Sequence, residues 1–360
     1  MKALVLLLPP PDATLAAAGV DSDASGRAAT DRLAAWSARF PVGLSGRVRG
    51  ADGSRGDGAR LLVALAGADP LRERPGRGAL VAAGLGCDLG EGDLALCLSL
   101  LTSDGRRSPL VPGEERLLVQ ALAHELGREG LALVAGRAGC HLLAVTGGAD
   151  LALQTSPPWC GPHPQAATGA DDARLGALEQ AAGEVLSCHD VNRVRRDLGE
   201  LTVDRCRAWG PGGRLVLEPF RLRTGRRLVT IGGDPALAGL ATLLDGEAQV
   251  LVDAGAAAWS RAVTAACAAA DLVIAQLPQG AGPDEVELPV VADHDGGLRI
   301  VATADQALAA DGTSAWIAWG SGLTAESRSD GARLVEPAHA LIDYVVSARH
   351  DEPGDRTETL

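Results

Sequence analysis

A chain of 360 residues has room for one large hydrophobic core or two smaller ones. Hydrophobic residues make up 46% but aromatics only 2%, so the interior must be built from Ala, Val and Leu, with the Trp residues as isolated anchors. A formal net charge of -13, with Lys2 the only lysine among 33 Lys and Arg residues, argues against nucleic acid or an anionic membrane as partner.

The first element is an apolar strand over Ala3–Leu8, ended by Pro9-Pro-Pro11 before it reaches the length of a leader or an anchor. An Ala-rich helix is predicted over 28–39 and a second over 60–66. Strand 94–100 and helix 114–127 follow, then a short strand at 142–145, the proline-rich run Ser156–Pro164 and a helix over 172–188. The second half alternates regularly: strands at 228–231, 249–252, 272–275, 298–302 and 315–319, with helices at 235–244, 256–270 and 336–347. A repeat of strand and helix every 20 to 25 residues or so is the signature of βαβ units around a largely parallel sheet. The tail 351–360 is polar and expected to fray. Seven cysteines without a CxxC pair suit buried thiols in a reducing cytoplasm. No stretch reaches the roughly 20 apolar residues that a membrane helix needs.

Glycine-punctuated motifs recur in a fixed order. They are Gly67-Ala-Asp-Pro70, Pro75-Gly-Arg-Gly-Ala-Leu80, Gly84-Leu-Gly86 and Gly92-Asp-Leu-Ala95, read as loops, then His189-Asp-Val-Asn-Arg-Val-Arg-Arg196, Trp209-Gly-Pro-Gly212 and Pro219-Phe220. This ordered set resembles the archaeal-type 2,3-bisphosphoglycerate-independent phosphoglycerate mutases of the alkaline phosphatase superfamily. The resemblance implies an alkaline-phosphatase-like α/β core with a largely parallel sheet flanked by helices, over 1–105 and 186–350. It also implies an inserted α/β cap over 106–185.

Enzymes of that family move a phosphoryl group between two hydroxyls of glycerate through a phosphoserine. Two divalent ions (Mn, Mg or Zn), caged by Asp and His, activate the serine and clamp the attacking and leaving oxygens. Counting back from Asp69-Pro70, the nucleophile position falls on Gly58, and Ser54 lies four residues early. The first-strand aspartate has no counterpart before Asp12. In Pro278-Gln-Gly-Ala-Gly-Pro283 the ligand positions hold Gln279 and Pro283, and proline has no donor at all. After the next strand Asp305 remains, but Gln306 stands where the family has histidine. Asp293-His294-Asp295 has the letters of a metal pair, yet precedes a strand, whereas α/β sites lie beyond the carboxyl ends of strands.

Arg77, His189, Asn192, Arg196 and Trp209 match family positions that surround or support the substrate. Arginines suit bidentate recognition of phosphate or carboxylate. The resulting expectation is a phosphoglycerate-mutase-like protein with an eroded nucleophile and metal site and no bound cofactor. Its partner would be a small phosphorylated or carboxylated metabolite, or another protein. The alternative is an active metal-dependent mutase or phosphotransferase with an unusual site.

Overall fold

The structure, a computed structural model, describes residues 3–8, 44–49, 58–105, 110–127, 130–155, 169–278, 281, 284–288, 299–304, 313–320 and 333–335. In chain order the elements are β1 (Ala3–Leu8), β2 (Leu44–Arg49), α1 (Ala59–Leu65), α2 (Pro70–Glu73), α3 (Arg77–Gly84), β3 (Leu94–Leu101), α4 (Pro112–Leu126), β4 (Leu131–Arg137) and β5 (Cys140–Val145). They continue as α5 (Ala170–Cys188), α6 (Asp190–Asp197), β6 (Arg205–Gly213), α7 (Phe220–Thr224), β7 (Leu228–Gly232), α8 (Pro235–Leu243), β8 (Glu247–Val250), α9 (Ala256–Ala269) and β9 (Leu272–Gln276). The last are β10 (Arg299–Ala304), β11 (Thr313–Gly320) and β12 (Arg333–Val335).

Two sheets carry the fold. The larger has the order β12-β2-β11-β10-β1-β9-β7-β8. Its β10-β1-β9-β7-β8 run is parallel throughout, and β11 is inserted antiparallel between β10 and β2. The expected parallel sheet flanked by helices is therefore present. The smaller sheet, β4-β5-β3-β6, is antiparallel. It draws β3 and β6 from residues 94–101 and 205–213, on either side of the 106–185 segment expected to form the cap.

Side-chain alternation decides the layering. Ala3, Val5 and Leu7 of β1 enter one core while Leu4 and Leu6 enter another, the period-two pattern of a strand covered on both faces. Trp259, Val263 and Ala266 of α9 cover the Leu4 face. On the other face α1, α3 and α8 share a core with Ala95 and Cys97 of β3 and with Trp209 of β6. Leu94, Leu96 and Leu98 of β3 turn away to meet Leu118 and Leu122 of α4 and Leu186 of α5. The described part of the molecule is thus helix, sheet, helix, sheet, helix. Each fully buried Leu contributes about 1.5–3 kcal/mol, which compensates for the scarcity of aromatics.

The middle helix layer is tight because α3 carries glycines. A Cβ on Gly78 would overlap the carbonyl of Ala95 in β3, and one on Gly76 would overlap that of Pro211 in β6. Where α3 crosses α8, a Cβ on Gly84 would strike the Pro235 carbonyl and one on Gly239 the Leu80 carbonyl. Arg77–Leu80, expected as part of a loop, begin α3, with Gly76 as its N-cap. Low helix propensity is overridden there by the closeness of packing that only glycine permits.

The helices expected at 28–39 and 336–347 lie outside the described residues, as do Asp12, Ser54, Gln279, Pro283, Asp293-His294-Asp295, Asp305 and Gln306.

Candidate functional site

The parallel strands β7, β8 and β9 end together at Gly232, Val250 and Gln276. Beyond these carboxyl ends lies a cleft of about 300 Å³, the place where open parallel sheets bind ligands. Its walls include Gly233, Leu251, Asp253, Gly255, Trp259 and Gln276. Ala138, in the turn of the β4–β5 hairpin, closes one side, so the smaller sheet reaches over the edge of the larger. The floor is firmly held: the Trp259 indole N–H donates to the Gln276 carbonyl at 2.7 Å, and the Gln276 side-chain oxygen accepts from the Asp234 N–H at 3.2 Å.

Asp234 was not anticipated, and it is the hub of the interior. One of its carboxylate oxygens accepts from Ala236 N–H at 2.9 Å and caps α8. The other pairs with the Arg77 guanidinium, which is only 3% exposed. Arg77 also lies over the Trp209 ring, 5.5 Å from its centroid, and the Trp209 indole N–H donates to Ser99 Oγ at 3.1 Å. A continuous chain, Gln276–Asp234–Arg77–Trp209–Ser99, therefore runs from the cleft floor to the second sheet. The signal for Asp234 was present in Gly233-Asp-Pro235, an N-cap followed by proline at the first helical position.

The other expected site residues stand elsewhere. His189 caps α6, its Nδ1 accepting from Val191 N–H at 3.1 Å. Asn192 is fully buried: its amide donates to the carbonyls of Leu186 and Val203 and accepts from Val203 N–H at 2.9 Å. It joins the end of α5 to the segment leading into β6. Arg196 is exposed, donating to the Ser187 carbonyl at 3.3 Å. Its neighbour Arg195 is the inward residue, bonded to Glu114 at 2.7 Å and to the Leu201 carbonyl at 2.8 Å. Arg195 sits three residues from Asn192, on the same helical face. Arg77 and Arg196 share no hydrogen-bond or ion-pair partner among the described contacts.

Gly58, at the nucleophile position, is buried at the N-terminus of α1 with φ 78. Any other residue there would be held in a left-handed conformation at a cost of about 1–2 kcal/mol. The donors for a metal pair are as sparse. Among the described residues no group of three or more His, Cys, Asp or Glu is placed to hold an ion. The cleft wall offers the Asp253 carboxylate and the Gln276 amide. Two hard divalent ions need about three oxygen or imidazole donors each, more than these two described side chains supply.

A layered α/β protein with a parallel sheet and a cleft at its carboxyl edge is the class that fold and site define. Comparison with known proteins narrows it. Residues 57–192 match the family model described as 2,3-bisphosphoglycerate-independent phosphoglycerate mutase. Over 190 residues the chain is 33% identical to 2,3-bisphosphoglycerate-independent phosphoglycerate mutase 2 of Methanothermobacter thermautotrophicus, covering 49% of this chain and 46% of the relative. It is 28% identical over 217 residues to mutase 1 of Archaeoglobus fulgidus, covering 54% of this chain and 52% of the relative. The chain thus aligns with about half the length of the curated relatives it matches. The solved structure of the PH0037 protein from Pyrococcus horikoshii shares the fold, with a TM-score of 0.55 at 17% identity over 94% of this chain and 92% of that one. Over residues 57–192 this chain is therefore similar to the 2,3-bisphosphoglycerate-independent phosphoglycerate mutases.

Proposed function

We propose that this protein is a diverged phosphoglycerate-mutase-like member of the alkaline phosphatase superfamily that carries out no phosphoryl transfer through a phosphoserine. Gly58 carries this reading. The position that would supply the nucleophile has no side chain, and its backbone, at φ 78, disfavours one. The sequence supports it independently, with Gln279, Pro283 and Gln306 where the resemblance puts metal ligands.

The retained arginine supports it too. Arg77 is occupied by Asp234, so a phosphorylated or carboxylated metabolite expected there would have to displace a buried carboxylate. These contacts favour a structural role for Arg77 over ligand recognition. We place the protein in the cytoplasm, which suits the free thiols of Cys87, Cys97, Cys140, Cys188, Cys206 and Cys267.

The test is a search for the covalent intermediate. After incubation with 3-phosphoglycerate and Mn²⁺ and an acid quench, peptide mass spectrometry should find no phosphorylated serine. A phosphopeptide containing Ser54, absent in Ser54→Ala, would instead establish an active enzyme with an unusual site.

A further inference from the structure

The stretch that enters β7 at its amino end carries a charge opposite to that of the chain. Residues 214–227 run from the end of β6 through α7 to the start of β7. They hold Arg214, Arg221, Arg223, Arg226 and Arg227 against one acidic residue, Glu218. The formal net charge of the whole chain is -13, so the rest of it is more acidic still.

Within this stretch α7 is braced from below. Phe220 is buried, and Arg223, three residues on and on the same helical face, lies over its ring at 5.6 Å from the centroid. The Arg223 guanidinium donates to the carbonyls of Ala66 and Gly67, which ties α7 to the end of α1. With those two side chains turned inward, Arg221 and Leu222 face outward, and Leu222 is 77% exposed. Gly225, at φ 69, ends the helix, and the exposed Arg226 and Arg227 follow. Val216, on the loop leading into α7, is 69% exposed. Leu222 and Val216 are the two most exposed large hydrophobic residues among those described. The guanidinium groups of Arg221, Arg226 and Arg227 make no hydrogen bond or ion pair among the described contacts. Two acidic residues border the patch: Asp271 accepts from the Arg227 N–H at 2.9 Å, and Asp245 follows Leu244, whose carbonyl accepts from the Phe220 N–H at 2.8 Å.

A single exposed apolar side chain needs no explanation. Here the most exposed ones share a short segment with three arginines that have no partner, on a support held rigid by Phe220 and Arg223. From this juxtaposition we infer that α7 and its flanks dock an acidic segment of another protein, its carboxylates on Arg221, Arg226 and Arg227 and an aliphatic side chain against Leu222 and Val216. An anionic bilayer or a nucleic acid extends past the patch and would meet the acidic remainder of the chain, whereas a short segment meets the patch alone. This goes beyond the proposed loss of phosphoryl transfer and does not depend on it. The docking residues precede the amino end of β7, while the cleft lies beyond its carboxyl end.

The probe is a fluorescently labelled peptide of repeating Glu-Glu-Leu units, with repeating Lys-Lys-Leu as the control of opposite charge. Fluorescence anisotropy with the full chain should show binding of the first and not the second. Binding should weaken as NaCl rises from about 0.01 M to about 0.15 M, which shortens the screening length from about 30 Å to about 8 Å. Arg221→Gln combined with Arg226→Gln should weaken it by about tenfold or more through loss of charge-assisted bonds, and Leu222→Ser by about threefold or more. Arg193→Gln combined with Arg196→Gln removes the same charge from the exposed side of α6 and should leave binding unchanged. Absence of binding overturns the assignment, as does equal binding of the Lys-Lys-Leu peptide or an equal loss in the α6 pair. Co-sedimentation with phosphatidylserine vesicles that the α7 pair abolishes would give the surface to a membrane. A dimer of the free chain that the α7 pair dissociates would give it to a second copy. Either result overturns the inference too.

Discussion

The α3 wedge and the carboxyl edge of the parallel sheet belong to one molecule but have been treated differently. In the wedge, Arg77 and the glycines of Pro75–Gly84 are all in steric use. Gly76 and Gly78 lie against the backbones of β6 and β3, Gly84 and Gly239 let two helices touch, and Arg77 is held by Asp234 and Trp209. At the edge, the described cleft wall presents one carboxylate, Asp253, and an amide, Gln276, already bonded to the backbone. A motif whose residues also build the fold does not by itself argue for the reaction it is associated with. That is why a likeness of sequence argues more strongly for fold than for activity here.

The largest effect that would sharpen this comparison is at the helix crossing. Gly239→Val would drive a branched side chain into the Leu80 carbonyl and the Gly84 N–H, which lies 2.8 Å from a Cβ position. The chain should fail to accumulate as folded protein. A native-like melting curve would show that the α3–α8 contact is not the constraint described.

Asp234→Ala comes next. It removes the carboxylate paired with buried Arg77 and uncaps α8, at up to about 3–5 kcal/mol for the broken pair and about 1 kcal/mol for the cap. Chemical denaturation measures it. A loss below about 1 kcal/mol would return Arg77 to the list of candidate ligand residues.

The smallest effect concerns Cys206, in the core between β3, α4 and α5. Burial, with a further contribution from Glu179, pushes its thiol far above the usual range of about 9.0. In the unfolded chain the thiol ionises near pH 9, whereas in the native state it keeps its proton. Stability is therefore unaffected below pH 8 and declines as pH rises above the unfolded value, by up to about 1.4 kcal/mol per pH unit. Denaturation curves between pH 8 and 11 should show a shallower decline in Cys206→Ala. An unchanged slope would mean that Cys206 is more accessible than its burial indicates.

How much of this could be read from sequence differed by element. Strands β1, β7 and β9 were legible because both faces are covered and the apolar run is unbroken. Strand β6 was not, since Trp209-Gly-Pro-Gly212 looks like a turn. It is tolerated because β6 is an edge strand whose register slips between Ala95 and Cys97, so that Gly210 and Pro211 fall at a bulge. Helix α3 was missed for the tertiary reason already given. Arg77 was visible as a conspicuous residue, but its partner is 157 positions away and no local pattern joins them. Arg195 and Arg196 are neighbours in sequence, and only the helical phase set by Asn192 decides which one turns inward.

We propose for this chain a phosphoglycerate-mutase-like fold without phosphoryl transfer. The most direct measurement is interconversion of 2- and 3-phosphoglycerate by the purified full chain, supplied in turn with Mn²⁺, Mg²⁺ and Zn²⁺. The account predicts rates indistinguishable from buffer with all three ions. Turnover that rises with protein concentration and disappears on chelation would contradict it.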